Sequence, residues 1–394
     1  MTRLDAAAYH HLPTGGALRV LAEWTRHTAA ERVTVYTPDP SVHAFADFPE
    51  RVRVMQVDVP GPFEGLPAAI GLLRSGPAGR RVARRIDGAG HDVVFVLPSR
   101  LTQSPAVLHH LHTPTVYYAP EAMRSAYEDQ RLVFAGDDWK VRLTRAGLNP
   151  IERLRRVLDR RAARAAEHVV THSQFTRGDL RRNYGVESEV LLLGVDVDAF
   201  RPAEAEAGAS DAQPYVLSVG ALHPLKGHEL VVDAVGRLPD DQRPRLVIVG
   251  DRGHEGPALE ARATRAGVEL DLRSGVPFAQ VVELMQGATL VACAQIREPF
   301  GLVPLEAMAC ARPVVAVRDG GLVESVQDER TGLLVPRDAQ AMADAIRRLL
   351  GDPGLRTRLG QAGRATVEAE WRWDRYARDV DRVLAERSAA HRTR

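Results

Sequence analysis

The chain has 394 residues, more than one hydrophobic core usually organises, so two domains are expected. Apolar residues make up 45% and charged residues 26%, ordinary values for a globular protein, and a net charge of +1 removes any global electrostatic case for nucleic-acid binding. The two cysteines, Cys293 and Cys310, are too few for a metal cluster or a disulfide framework. A reducing cytosol suits them, and a cytoplasmic location is expected. The N-terminal run MTRLDAAAYHHLPTGG lacks the apolar core of a signal peptide, and no stretch has the apolar length of a transmembrane helix.

In chain order, a helix is expected from Ala17 to His27, then strands at 33–36, 52–57 and 92–96. A helix from Ile151 to Ala166 and strands at 169–171 and 190–193 follow. Residues 201–214, RPAEAEAGASDAQP, carry no strand pattern and read as a linker. The alternation then restarts, with strands at 215–219, 245–249, 290–293 and 313–317, each followed by a turn and a helix. Strands alternating with helices imply parallel sheets covered on both faces. The expected class is therefore α/β, with two Rossmann-like units. Residues 1–200 form the first, 215–370 the second, and 371–394 a C-terminal helix.

The most informative segment is Glu298-Pro-Phe-Gly-Leu-Val-Pro-Leu-Glu306-Ala-Met-Ala-Cys. It follows a strand and opens a helix. Phe300, Gly301 and Leu302 sit at the helix entrance, where unpaired backbone N–H groups and the dipole favour a phosphate. By itself, Glu306 near a helix start fits either a ligand contact or simple dipole compensation. Lys226 stands before another helix, where its charge opposes the dipole. Gly15 and Gly16 form a turn whose missing Cβ atoms would let backbone approach a ligand.

The string resembles the E-x7-E signature of the retaining glycosyltransferase family 4, whose members have the GT-B fold. The likeness extends to Ser218-Val-Gly220-Ala-Leu-His-Pro-Leu-Lys226-Gly227, to Val249-Gly250-Asp251, to Gly320-Gly-Leu-Val-Glu324 and to Thr331-Gly-Leu-Leu-Val335. In the first half, Pro13-Thr-Gly15-Gly16, Thr102-Gln-Ser-Pro105, Tyr117-Tyr118 with Glu121 and Arg124, Thr171-His-Ser-Gln-Phe-Thr176 and Gly194-Val-Asp196 fit more loosely.

The resemblance implies two Rossmann-like domains facing a cleft and a hexosyltransferase that takes a UDP- or GDP-linked sugar and passes it to a hydroxyl acceptor with retained configuration. No metal or other cofactor is implied. The donor site it implies comprises Gly15, Gly16, Gly220, Lys226, Gly250, Glu298, Phe300, Gly301, Leu302 and Glu306. In that reading Lys226 faces the leaving phosphate, Glu298 holds the transferred sugar and Glu306 holds the ribose. His11, Tyr118, Glu121 and Arg124 are candidates on the acceptor side, and the C-terminal helix, with Trp371 and Trp373 as packing residues, crosses back to the first domain.

Two positions depart from the family pattern. Ala221 stands where many members carry an arginine, leaving Arg252 or Arg297 to compensate. Pro120 stands where members carry a histidine, and His109, His110 and His112 lie on the other side of that strand. A basic stretch, Lys140 to Arg164, holds nine Lys or Arg residues against Glu152 and Asp159, and reads as a solvated helical face rather than a peripheral membrane contact. A nucleotide-sugar epimerase of the same architecture and a non-catalytic nucleotide-sugar binder are the alternatives.

Overall fold

The computed structural model describes residues 4–12, 16–41, 48–59, 66–127, 150–203, 213–251, 253 and 255–393. Gly15, Arg252, Trp139, residues 140–149 of the basic stretch and residues 204–212 of the linker lie outside the described residues. The chain forms two compact units, Met1–Leu193 with Trp373–Arg394, and Gly194–Arg372.

The first unit contains β1 (Asp5–His11), α1 (Gly16–His27), β2 (Arg32–Thr37), β3 (Val52–Gln56), α2 (Leu66–Asp87), β4 (Val93–Ser99), β5 (Thr115–Tyr118), α3 (Pro150–Ala165), β6 (His168–Thr171), α4 (Gln174–Tyr184) and β7 (Glu189–Val190). Its strands form one parallel sheet in the order β3-β2-β1-β4-β5-β6-β7. The centre of the sheet is apolar throughout: Ala6, Ala7, Ala8 and Val93 to Leu97 are fully buried, as expected of parallel strands covered on both faces. Helix ends follow local chemistry. In α4, Ser173 Oγ accepts from Thr176 N at 3.0 Å, and Gly185 ends the helix in the left-handed conformation.

The C-terminal helix (Trp373–Arg392) packs on α1, β4 and β5. Asp381 accepts from Trp24 Nε1 at 2.9 Å, from Thr28 Oγ1 at 2.6 Å and from Ala29 N at 2.7 Å. This carboxylate fastens the end of the chain to the end of α1. The sequence reading began this segment at 371. The structure splits the pair of tryptophans: Trp371 packs on Phe300 of the second unit, and Trp373 packs on Tyr376 of the first.

The second unit contains β8 (Tyr215–Val219), α5 (His228–Gly236), β9 (Arg245–Val249), α6 (Gly256–Ala266), β10 (Leu270–Arg273), α7 (Phe278–Gly287), β11 (Leu290–Cys293), α8 (Leu302–Ala309), β12 (Val314–Val317), β13 (Gly332–Val335), α9 (Ala339–Gly351) and α10 (Pro353–Glu370). The strands again pair in parallel, in the order β10-β9-β8-β11-β12-β13. From α10, Arg364 donates to the carbonyls of Val197, Phe200 and Ala309, which ties residues 194–200 to this unit.

Some elements differ from expectation. The strand expected at 190–193 is only the short β7, because the ladder with β6 stops after Val190. The strands β1 and β10 were not anticipated, and β13 was read only as a family landmark.

Candidate active site

In an open parallel sheet, ligands sit beyond the carboxyl ends of the strands, where the strand order reverses. In the second unit the order runs outward from β8 through β9 to β10, then returns to β11 on the other side of β8. The reversal lies between β8 and β11. Lys226 follows β8 and Glu298 follows β11, and Lys226 Nζ lies 2.8 Å from Glu298 Oε2. Both side chains are partly buried, 31% and 17% exposed.

The loop carrying Lys226 is held from beneath. His228 is buried, its Nε2 lies 3.1 Å from the Gly220 carbonyl, and its Nδ1 lies 3.0 Å from Ser218 Oγ. Burial lowers its pKa to about 4, so the ring is neutral at pH 7. The carbonyl can only accept, so Nε2 carries the proton and Nδ1 accepts from Ser218. Gly250 backs the same point, since a Cβ there would fall 1.9 Å from the Gly220 oxygen.

Lys226 closes a single 3₁₀ turn, Pro224–Lys226, capped by His223 Nδ1, which accepts from Leu225 N at 3.2 Å. The next residue must be glycine: Gly227 has φ 68°, and a Cβ would lie 1.9 Å from the Ala294 carbonyl oxygen. Ile296 N donates to Leu225 O at 2.8 Å, so the lysine loop and the glutamate loop are stitched together through backbone.

Glu298 follows Arg297, whose backbone is left-handed with φ 47°. Arg297 N donates to Asp319 Oδ2 at 2.9 Å, and Gly321 N donates to Glu298 O at 2.6 Å. Phe300 is 3% exposed and its ring packs 5.4 Å from Trp371, so its backbone, rather than its ring, is available to a ligand. Gly301 precedes α8 and Leu302 is its first residue, so the opening N–H groups of α8 sit beside Glu298 in sequence and space.

Glu306 is the fifth residue of α8, just past its first turn, and is 6% exposed. Cys293 ends β11 beneath this cluster. Burial, and then the carboxylates of Glu298 and Glu306, push its thiol pKa far up. Burial likewise pushes Cys310 up to about 12, so both thiols are packing groups rather than nucleophiles.

In the first unit the reversal lies between β1 and β4. His11 ends β1 and is 5% exposed; burial, then Arg100, lowers its pKa to about 4 against the opposing pull of Asp39. Gly16 is exposed and opens α1 just beyond β1. Tyr118 ends β5, and its buried hydroxyl shares a hydrogen bond with His172 Nδ1 at 2.8 Å, so it forms floor rather than surface. Glu121 and Arg124 pair with each other at 2.5 Å. The Pro120 carbonyl accepts from Thr176 Oγ1 at 3.4 Å. His109, His110 and His112 precede β5 and line a cavity of about 360 Å³ with Arg80, Arg84 and Leu111, away from the carboxyl ends.

The structure thus brings together Gly220, Lys226, Gly250, Glu298, Phe300, Gly301, Leu302 and Glu306. Sequence reasoning missed His228, whose partners lie 8 and 10 residues earlier, and Asp319, Arg337 and His172, whose partners are more distant in the chain. The helix of the basic stretch is described from residue 150. Its Arg153, Arg156, Arg160 and Arg161 are exposed, whereas Arg155 pairs with Glu152 and Arg164 donates to Tyr184 O. Among the described residues, no helix is long and apolar enough to cross a membrane.

Comparison with known proteins agrees with this geometry. The family described as "Glycosyltransferase Family 4" matches residues 14–199, and "Glycosyl transferases group 1" matches residues 200–366. The chain belongs to the group 1 glycosyltransferases of family 4. Among curated members, a D-inositol 3-phosphate glycosyltransferase of Streptomyces bingchenggensis is 33% identical over 58% of this chain and 54% of its own length. An alpha-maltose-1-phosphate synthase of Mycolicibacterium smegmatis is 32% identical over 59% of this chain and 66% of its own length. The chain therefore spans about half to two thirds of the curated relatives it matches. Among solved structures, a sucrose-phosphate synthase from Thermosynechococcus elongatus superposes with a TM-score of 0.76 at 22% identity, covering 98% of this chain and 100% of that one. Anabaena HepE in complex with UDP and glucose gives 0.72 at 19% identity, covering 97% and 99%. These likenesses establish the GT-B fold for the family 4 chain.

Proposed function

We propose that the protein is a retaining glycosyltransferase that takes a sugar from a nucleoside-diphosphate donor and gives it to a hydroxyl acceptor. The observation that carries this reading is the meeting of Lys226 and Glu298 at the strand-order reversal of the second sheet, beside the opening of α8. Breaking the sugar–phosphate bond develops negative charge on the leaving diphosphate. A fixed ammonium and helix N–H groups stabilise that charge more than they stabilise the intact donor. Glu298 accepts from hydroxyls of the transferred sugar, and Glu306 accepts from the ribose.

The acceptor oxygen bonds to the anomeric carbon on the face the phosphate leaves, and its proton passes to a phosphate oxygen. Neither glutamate forms a covalent bond in this scheme, unlike the paired carboxylates of a retaining glycosidase. Lys226 and the helix opening supply the positive charge, so turnover needs no divalent metal. A uridine diphosphate sugar is the first donor to test, given the UDP-bound neighbour of the same fold, with a GDP-sugar the second.

Thermal shift with UDP, GDP, ADP and dTDP identifies the base, because a ligand that binds only the folded state raises its melting temperature. Turnover of the matching donor, followed by proton NMR of the product, then reads the configuration. A retained configuration and activity undiminished by EDTA are expected. An inverted product, or EDTA inactivation reversed by manganese, would overturn the assignment.

A further inference from the structure

The residue that aims Glu298 lies outside the motif that contains it. Arg297 is one of three non-glycine residues with positive φ among those described. At φ 47° an arginine is strained, and such a conformation persists only where its surroundings hold it. The holder here is specific. Asp319, just past β12, accepts from Arg297 N at 2.9 Å.

The next two residues complete the grip. Gly320, at φ 59°, lies so close that a Cβ would fall 2.4 Å from Glu298 O and 2.6 Å from Glu298 N. Gly321 N donates to Glu298 O at 2.6 Å. Asp319 is itself fixed, with its N–H donating to Val317 O at 2.9 Å and its carbonyl accepting from Leu322 N at 3.3 Å. Its carboxylate also acts electrostatically on Arg337, and Arg337 Nη1 donates to the carbonyl of Ala294, the group that Gly227 passes beside Lys226.

We propose that Asp319 is a positioning residue for glycosyl transfer: its carboxylate oxygen holds Arg297 in the left-handed turn that points Glu298 at Lys226 and at the transferred sugar. This rests on the role given to Glu298 above. Small misplacements of a reacting group cost rate more than binding, so loss of the brace should be read in kcat.

The test is a set of variants assayed with the wild-type donor: Asp319→Ala, Asp319→Asn, Arg297→Gly, Glu298→Gln and two double variants. Asp319→Ala should lower kcat about tenfold or more with donor KM within about threefold. Asp319→Asn keeps an oxygen that accepts from Arg297 N and should retain about half of kcat or more. Glycine takes this backbone angle unaided, so adding Asp319→Ala to Arg297→Gly should cost less than about threefold, whatever Arg297→Gly costs alone. Adding Asp319→Ala to Glu298→Gln should likewise cost less than about threefold, since both remove one function.

Full kcat in a folded Asp319→Ala, an equal tenfold loss in the Arg297→Gly background, or an Asp319→Asn as impaired as Asp319→Ala would each overturn the inference. If Asp319→Ala does not fold, Asp319→Asn decides the matter alone, because a tenfold loss of kcat there would assign Asp319 to charge pairing with Arg337. A wild-type chain that transfers from no nucleotide sugar would instead remove the proposed function itself.

Discussion

At the scale of single residues, Lys226 and Glu298 pair at 2.8 Å. In the proposed reaction a diphosphate draws the ammonium from the carboxylate, and sugar hydroxyls then satisfy Glu298. Lys226→Ala should lower kcat by two to three orders of magnitude, about 3–4 kcal/mol, with an unchanged circular dichroism spectrum. Glu298→Gln should lower kcat while tightening binding of the bare nucleoside diphosphate up to about fivefold, since a pair that solvent still reaches is worth about 1 kcal/mol. Titration calorimetry reads that gain, and weaker diphosphate binding would contradict it. Glu306→Gln should act mainly on KM, because the ribose is remote from the bond that breaks. These residues were legible in the sequence because they lie in two contiguous strings. Asp319 was not: its carboxylate acts on an amide 22 residues earlier in the chain, a link made only by adjacent parallel strands. His228 was equally silent, since a buried neutral histidine and a surface one look alike in sequence.

At the scale of elements, the first unit hangs several loops on one carboxyl group of α3. Asp159 is fully buried and accepts from Ser104 N at 2.6 Å and from the Tyr184 hydroxyl. Tyr184 in turn accepts from Met123 N at 2.8 Å, and Tyr117 donates to Ser104 Oγ at 3.1 Å. One side chain thus ties α3 and α4 to the segments after β4 and β5, where the acceptor-side candidates lie. Asp159→Ala strands two buried donors, each worth roughly 1–3 kcal/mol when unsatisfied, and should destabilise the first unit by about 2–3 kcal/mol. In calorimetry that is a fall of about 4–12 °C in its transition. Asp159→Asn, which keeps an acceptor oxygen, should fall less, and a melting curve unchanged by Asp159→Ala would show that the network is not structural. The sequence reading counted Asp159 only as an acid offsetting a basic run, because helical periodicity shows which face is buried and not which polar groups meet there.

At the scale of the whole molecule, acid titrates buried groups in both units. The folded pKa of His228, about 4, lies below its ordinary 6.5, so the unfolded chain binds the extra proton and stability falls as pH drops through 6.5. Between pH 6.5 and 5 that amounts to roughly 2 kcal/mol in the second unit. In the first unit His11, also near 4, acts in the same direction, as do His109 and His110, which burial also lowers. Asp159 opposes it: burial raises its folded pKa to about 6 from 3.8, so there the folded state binds the proton and stability rises as pH falls below 6. Calorimetry at pH 7 and pH 5 should show the transition of the second unit moving down, with His228→Asn removing most of that shift. A shift undiminished in His228→Asn would contradict this.

The sequence by itself determined the α/β class, most of the strands and the donor-side strings, because apolar runs, turn glycines and motif spacing are local properties of the chain. The reading missed β1, an inner strand of the first sheet, because Ala6-Ala7-Ala8 carries none of the β-branched signal that marked its neighbours. It missed β10, an edge strand in which Leu270 and Leu272 alternate with Asp271 and Arg273. Only the tertiary structure decided which unit each of Trp371 and Trp373 belongs to, that Tyr118 and His11 are buried, and that Asp319 holds the turn before Glu298. The physical reason is common to all three. Burial and hydrogen-bond partnership are set by which strands the crossovers bring side by side, and the chain between them carries no record of that neighbour.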